Sequence, residues 1–227
     1  MACPQFRYYF LLFRNILFDL GGLFITVYAG RFEQWLFKFR SPGDNAAVFR
    51  QRFNEVHHHY ERGSLSTPQF LAELRFLIDK QAEVKDIEQA WNSILGRFSL
   101  EDLNWASGLR SNVRTALLSN TNELHRASFE EALLVHSGGR HLADYFDGVY
   151  YSQHLGLRKP SVDAFFRVLE LEGWNAEETL FVDDNQENLQ SAAELGMGIV
   201  LHPCNAPLRL HMEARMDLPF HHFSLLS

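Results

Sequence analysis

The sequence predicts an α/β protein, a parallel sheet covered by helices that carries a second, all-helical unit, and three observations point there. First, short apolar runs of strand length recur between turn or polar residues: Ile16 to Phe18, Val113 to Leu118, Val149 to Tyr151, Thr179 to Val182 and Gly198 to Leu201. Second, helical periods lie between the later runs. Phe165, Val168, Leu169 and Leu171 follow Pro160 and Ser161, and Leu189, Ala192, Ala193 and Leu195 end at Gly196, where a helix C-cap is expected. Third, one long interval shows helical spacing throughout. Strand alternating with helix requires crossover connections, so the sheet is parallel and buried on both faces. That is the Rossmann-like class, whose ligands bind beyond the C-terminal ends of the strands.

Taken in order, the chain opens with an apolar stretch from Tyr8 to Phe13 bracketed by Arg7 and Arg14, too short for a signal peptide or a membrane span. Residues 1–14 read as an N-terminal extension. Residues 15–27 and 110–202 read as the Rossmann-like core. Between them, residues 28–109 read as a helical cap inserted after the first strand. Its periods are Phe32, Trp35, Leu36 and Phe39, then Phe70, Leu71, Leu74 and Leu77 behind Ser66, Thr67 and Pro68, then Ile87, Trp91, Ile94 and Leu95. The tail, 203–227, is irregular and reads as surface wrapping.

The 227 residues are 46% hydrophobic and 22% charged, enough to bury a substantial core. Lys and Arg total 21 against 28 for Asp and Glu, a formal net charge of −7. Nucleic acid and anionic membrane are therefore not expected partners. Cys3 and Cys204 lie near opposite ends without paired spacing, which fits a reducing, cytoplasmic setting.

Polar groups follow four of the strand-like runs. Asp19, then Leu20, Gly21 and Gly22, ends the first; a carboxylate at a sheet mouth beside glycines serves as nucleophile, metal ligand or turn cap. Ser119, Asn120, Thr121 and Asn122 end the second, where hydroxyl, amide and backbone N–H groups cap a helix or hold an anion. Lys159 follows the third and precedes Pro160, at the entry to the next helix. Asp183 and Asp184 end the fourth. Adjacent carboxylates repel unless a cation or hydrogen-bond donors hold them, and such hard oxygen ligands suit Mg²⁺. Nucleophilic carboxylate, divalent cation, lysine and hydroxyl are together the parts of an in-line phosphoryl transfer.

With ILFDLGGLF, LLSNTN, LGLRKP and FVDDNQEN in this order, and a helical cap between the first two, residues 15 to 201 resemble the haloacid dehalogenase-like hydrolase superfamily. The combination looks most like the branch that includes bacterial α-D-glucose-1-phosphate phosphatase. The resemblance implies Asp19 as nucleophile and metal ligand, with the Gly21 carbonyl, Asp184 and neighbouring Asp183 at the same Mg²⁺. It implies Ser119 and Asn120 on the phosphate, and Lys159 bridging that phosphate and Asp19. The implied activity is Mg²⁺-dependent hydrolysis of a small phosphorylated metabolite, a sugar phosphate among the candidates, through an aspartyl-phosphate. A metal-independent 2-haloacid dehalogenase and a weakly catalytic binding module are the alternatives.

One position departs from the pattern. Most phosphatases of the superfamily carry an acid–base Asp two residues after the nucleophile, where this chain has Gly21. An already acidic leaving group or a substitute acid is then required. In the cap, the run His57-His58-His59-Tyr60-Glu61-Arg62-Gly63 offers Arg62 or Glu61 to substrate hydroxyls. Three adjacent histidines on a helix cannot face one metal, so the three are expected on a solvated helix end.

Overall fold

The computed structural model describes residues 13–38, 45–78 and 82–216. The expected N-terminal extension up to residue 12, Phe39 of the first cap period and the tail beyond 216 lie outside the described residues. In chain order come β1 (Asn15–Phe18), β2 (Ile25–Val27), α1 (Gly30–Lys38), α2 (Ala46–Glu61), α3 (Thr67–Leu77) and α4 (Val84–Asn92). Then follow β3 (Leu95–Phe98), α5 (Leu100–Leu109), β4 (Arg114–Ser119), α6 (Glu123–Ser137), β5 (Gly148–Tyr151) and the single turn α7 (Ser152–Leu155). The chain continues through α8 (Val162–Glu172), β6 (Thr179–Asp183), α9 (Gln186–Glu194), β7 (Gly198–Leu201) and α10 (Leu208–Met216). No helix among the described residues is long and apolar enough to cross a membrane.

All five apolar runs are strands of one sheet, in the order β5-β4-β1-β6-β7 with every neighbouring pair parallel. Alternation along β1 divides the core. Ile16 and Phe18 face one side with Leu117, Leu103, Phe129, Leu133 and Val182, while Leu17 faces the other with Leu118, Phe165, Val168, Phe181 and Leu189. Because helices cover both faces, the strands are apolar throughout and not amphipathic. Asp19, Ser119 and Asp183 come at the C-terminal ends of adjacent strands.

The insert differs from the expected all-helical interval of 28–109. Strand β3 pairs antiparallel with β2, Ile25 opposite Phe98 and Val27 opposite Leu95, so Leu95 ends the helical stretch instead of extending it. Such short strands, one of them containing Gly96 and Arg97, show no two-residue period in the sequence. A Cβ at position 96 would lie 2.8 Å from Thr26 Cβ, so glycine lets the two strands close up. Helix α5 packs its Leu103, Ala106 and Leu109 into the sheet core, whereas α1 to α4 form their own cluster around Phe32, Phe53, Tyr60, Phe70, Ile87 and Trp91. Packing therefore divides cap from core near residue 94 and not at 109.

The tail from 203 to 216 is more regular than expected. Leu208 and Met212 of α10 join the sheet core, and the turn at 203–206 reaches the strand mouths. There the Asn205 backbone N–H donates to Gly22 O (2.8 Å), and its side chain pairs with both the N–H and the carbonyl of Val27 (2.9 and 3.0 Å).

Candidate active site

At the C-terminal end of the sheet a cavity of about 350 Å³ opens between core and cap. Its walls include Asp19, Gly21, Ser119, Asn120, Lys159 and Asp184, six of the eight residues singled out from sequence. Lys159, at 1% exposure, sits between two carboxylates, with Nζ 2.6 Å from Asp19 Oδ1 and 2.7 Å from Asp183 Oδ2. Burial alone would strip its proton, but Asp183 and Asp19 outweigh that and hold the lysine above its ordinary value. The ammonium is thus a fixed positive charge at the strand mouths.

Asn120 reaches this lysine through its backbone. Its Nδ2 donates to Lys159 O (2.8 Å), and its Oδ1 accepts from Lys159 N (2.9 Å). Expected on the phosphate, the amide side chain instead clamps the loop that carries Lys159. Asn122 caps α6 by accepting from the His125 N–H (3.1 Å).

The three carboxylates Asp19, Asp183 and Asp184 bring ligand atoms within 4.8 Å of one another. They are not equivalent. Asp183 is fully buried; its Oδ1 accepts from Asn185 N (2.7 Å), while its Oδ2 takes both Lys159 and Asn188 Nδ2 (3.0 Å). Protein donors thus hold both of its oxygens. Asp19 and Asp184 face the cavity. Burial drives the Asp19 carboxyl up to about 7; Lys159 opposes the rise, and Asp183 and Asp184 add to it. Burial also raises Asp184, against a hydrogen bond from the Cys204 thiol. Two carboxylates that resist ionisation side by side form a donor set that fits a small, hard cation.

A profile of the haloacid dehalogenase-like hydrolase family matches residues 13–196. The chain belongs to that family. This hydrolase is 30% identical over 183 residues, 81% of its own length and 88% of the relative's, to D-ribitol-5-phosphate phosphatase of Bacteroides thetaiotaomicron. Its fold is similar to that of the HAD family enzyme bt-2542 of the same organism in a magnesium complex. There the TM-score is 0.76 at 28% identity, covering 88% of this chain and 98% of the other. The wild-type bt-2542 complex with magnesium and inorganic phosphate gives a TM-score of 0.71 at 28% identity, over 86% and 96% of the two chains.

Two expectations about the hydrolase's cap change. Arg62 does not line the cavity; it caps α2, its backbone N–H donating to His58 O (3.2 Å). Neighbouring Glu61 and His57, one turn earlier, do line it, so His57 is not on a solvated helix end. Glu61 Oε1 lies 3.3 Å from His57 Nε2, and Glu61 Oε2 lies 2.8 Å from Arg158 Nε. Burial pushes the Glu61 carboxyl up, but His57 and Arg158 prevail and bring it down to about 2. The i,i+4 spacing of His57 and Glu61 was open to sequence reading, whereas the link to Arg158 depends on tertiary structure.

His125 and Cys204 also escaped the sequence reading. The His125 ring stacks on Trp91 of the cap, with Nε2 3.0 Å from Trp91 O and Nδ1 3.1 Å from Asn122 Nδ2. Burial lowers it to about 4, so the ring is neutral. With Trp91 Nε1 donating to Asn122 Oδ1 (3.1 Å), these three side chains bolt cap to core.

Proposed function

We propose that this hydrolase is a Mg²⁺-dependent phosphatase that cleaves a small phosphomonoester through an aspartyl-phosphate on Asp19. The observation that carries the reading is Lys159, held between Asp19 and Asp183 at the mouth of a cavity that Asp184 and Ser119 also line. The similarity to a phosphatase of D-ribitol 5-phosphate, and to a structure holding magnesium with inorganic phosphate, supports it.

In this reading a carboxylate oxygen of Asp19 attacks phosphorus in line with the ester oxygen. Lys159 keeps Asp19 oriented and presents positive charge to the phosphoryl oxygens, and the Ser119 hydroxyl donates to one of them. Asn120 holds the lysine-bearing loop in register. Asp19, Asp184 and the Gly21 carbonyl are the cation ligands, while Asp183 beside them secures Lys159 and the turn to Asn188. Bound there, Mg²⁺ supplies Lewis-acid neutralisation of phosphoryl charge and favours the ionised form of Asp19. The natural substrate belongs to the class of small phosphorylated metabolites, with sugar and polyol phosphates foremost.

Asp184 also favours this reading over metal-independent dehalogenation, since Lys159 pairs with Asp19 and Asp183 and leaves this third carboxylate without a positive partner among the described residues unless a further cation binds. The test is turnover of an aryl phosphate with Mg²⁺, with EDTA and in Asp19→Asn. Activity that needs Mg²⁺ and disappears in Asp19→Asn is expected, with 2-haloacids left intact. Wild-type turnover in Asp19→Asn would overturn the covalent mechanism.

A further inference from the structure

Position 21 lacks an acid, and the structure shows that its place is filled. A Cβ built on Gly21 would lie 3.2 Å from Val27 Cγ2 and 3.8 Å from Asp19 Oδ2, so a methyl group of the β2–β3 hairpin crowds the space where such a side chain would begin. For a leaving group that needs protonation, the proton must come from elsewhere in the cavity.

Most titratable groups in its walls are committed. Asp19 and Lys159 pair with one another, and Asp184 stands beside Asp19 with the Cys204 thiol against it. Both His125 ring nitrogens are engaged, by Trp91 O and Asn122 Nδ2, and the ring is neutral. Glu61 has one oxygen on Arg158 and the other on His57, and it stays ionised. His57 differs from all of these. Glu61 holds its Nε2, leaving Nδ1 as a second proton-carrying nitrogen on a side chain that is 27% exposed.

His57 is also held in a fixed position. Its ring stacks on Phe53 (5.6 Å between centroids, 25°) and meets Trp91 edge-on (5.1 Å, 87°). The end of α2 behind it is seated on the core. Tyr60 OH accepts from Leu124 N (3.1 Å), and Gly63, at φ +67°, lies so close to the Gln153 carbonyl that a Cβ there would fall 2.3 Å from the oxygen. Arg158, adjacent to Lys159, anchors Glu61. The charged and titratable groups around the ring are therefore Glu61 and His58 on its own helix, His125 on α6 and Arg158 on the lysine loop. A carboxylate behind an imidazole fixes the ring and stabilises the imidazolium.

We infer that His57, oriented by Glu61, is the general acid and base of the reaction, in place of the missing side chain at position 21. The inference rests on the phosphatase reading above. As Asp19 bonds to phosphorus and the ester P–O bond breaks, its electron pair leaves on the ester oxygen, which takes a proton from imidazolium His57 and departs as the alcohol. In the second step water attacks the aspartyl-phosphate, gives a proton to His57 and displaces the Asp19 carboxylate. Phosphate leaves and the imidazolium is restored.

The test compares an aryl phosphate, whose leaving group needs little protonation, with an alkyl polyol phosphate, which needs it fully. In His57→Gln, which keeps a donor for Glu61 but carries no exchangeable acid, kcat on the alkyl ester should fall about 100-fold or more and on the aryl ester less than about tenfold. Glu61→Gln should show the same asymmetry in weaker form. Unfolding midpoints check the fold, and His57→Asn takes the place of the Gln variant if that one loses its transition. Equal losses on both esters, or no loss on either, would overturn the assignment. A wild-type enzyme inactive on both esters with Mg²⁺ would instead sink the phosphatase reading.

Discussion

Gly22 and Asp184 are in such close contact that a single methyl group at position 22 would lie 2.2 Å from Asp184 Oδ2. Gly22 also has φ +72°, a conformation costly for residues with a side chain. Gly22→Ala should therefore displace Asp184 and cost about 1–3 kcal/mol of stability. Isothermal titration should show Mg²⁺ affinity at least about tenfold weaker. Unaltered affinity would show that Asp184 is not a ligand.

The adjacent aspartates 183 and 184 should fail in different ways. Asp183→Ala removes the acceptor of Lys159, Asn188 and the Asn185 N–H from a fully buried position, and should cost about 3–5 kcal/mol in urea unfolding. Asp184→Ala, on the cavity wall, should unfold within about 1 kcal/mol of wild type yet lose its response to Mg²⁺. Similar denaturation midpoints for the two variants would contradict the division of roles.

Cation binding should release a proton. The metal-free Asp19 carboxyl titrates near 7, above its ordinary value, because it is buried beside other carboxylates, and a cation requires it ionised. Apparent Mg²⁺ affinity should then be constant above about pH 8 and weaken as pH falls through 7, by at most about tenfold per unit for one proton. Calorimetry in buffers of different ionisation enthalpy measures the proton directly. A pH-independent dissociation constant between 8 and 6 would exclude the linkage.

Glu61 has the opposite sign. Its carboxyl is held near 2 in the folded protein against an ordinary 4.5, so the ionised form is favoured by folding. The stabilisation is complete above 4.5 and disappears as pH falls towards 2, and it amounts to about 3 kcal/mol. Glu61→Gln should therefore be less stable than wild type at pH 7, with the gap narrowing in acid. A gap that stays constant from pH 7 to 3 would place the stabilisation elsewhere.

What the sequence revealed depends on how local each signal is. The five strands of the sheet were legible because buried parallel strands are continuous apolar runs, and Asp19, Ser119, Lys159 and Asp184 were legible because each follows one of them. Asn120 lines the cavity, but its amide meets the Lys159 backbone, a partner that only the fold brings to it. The β2–β3 pairing escaped because such short strands carry no period, and the apolar stripe of α5 fits a cap or a sheet face equally well. The run 57–63 offers Arg62 or Glu61 to a substrate and places its histidines on a solvated helix end, whereas Glu61 and His57 line the cavity and Arg62 does not. Which residues of an α2 turn face inward depends on tertiary packing, with Phe53 and Tyr60 in the cap cluster and Gly63 against Gln153, contacts between segments far apart in sequence.

The hairpin that frames the cap has a consequence for inheritance. Val27 and Leu95 are partners on one antiparallel rung, so the chain leaves for the insert and returns from it at points about 5 Å apart, a gap that a tight turn also closes. The sheet and its phosphate chemistry thus impose no length on what is inserted there, and a lineage could exchange or shorten residues 28–94 without rebuilding a strand. A grafted insert would arrive without the partners of Asn122, His125 and Arg158, and new interlocking contacts would have to evolve for each cap acquired. Recombination at this rung leaves the nucleophile Asp19 with the sheet, while the proton donor His57 travels with the insert.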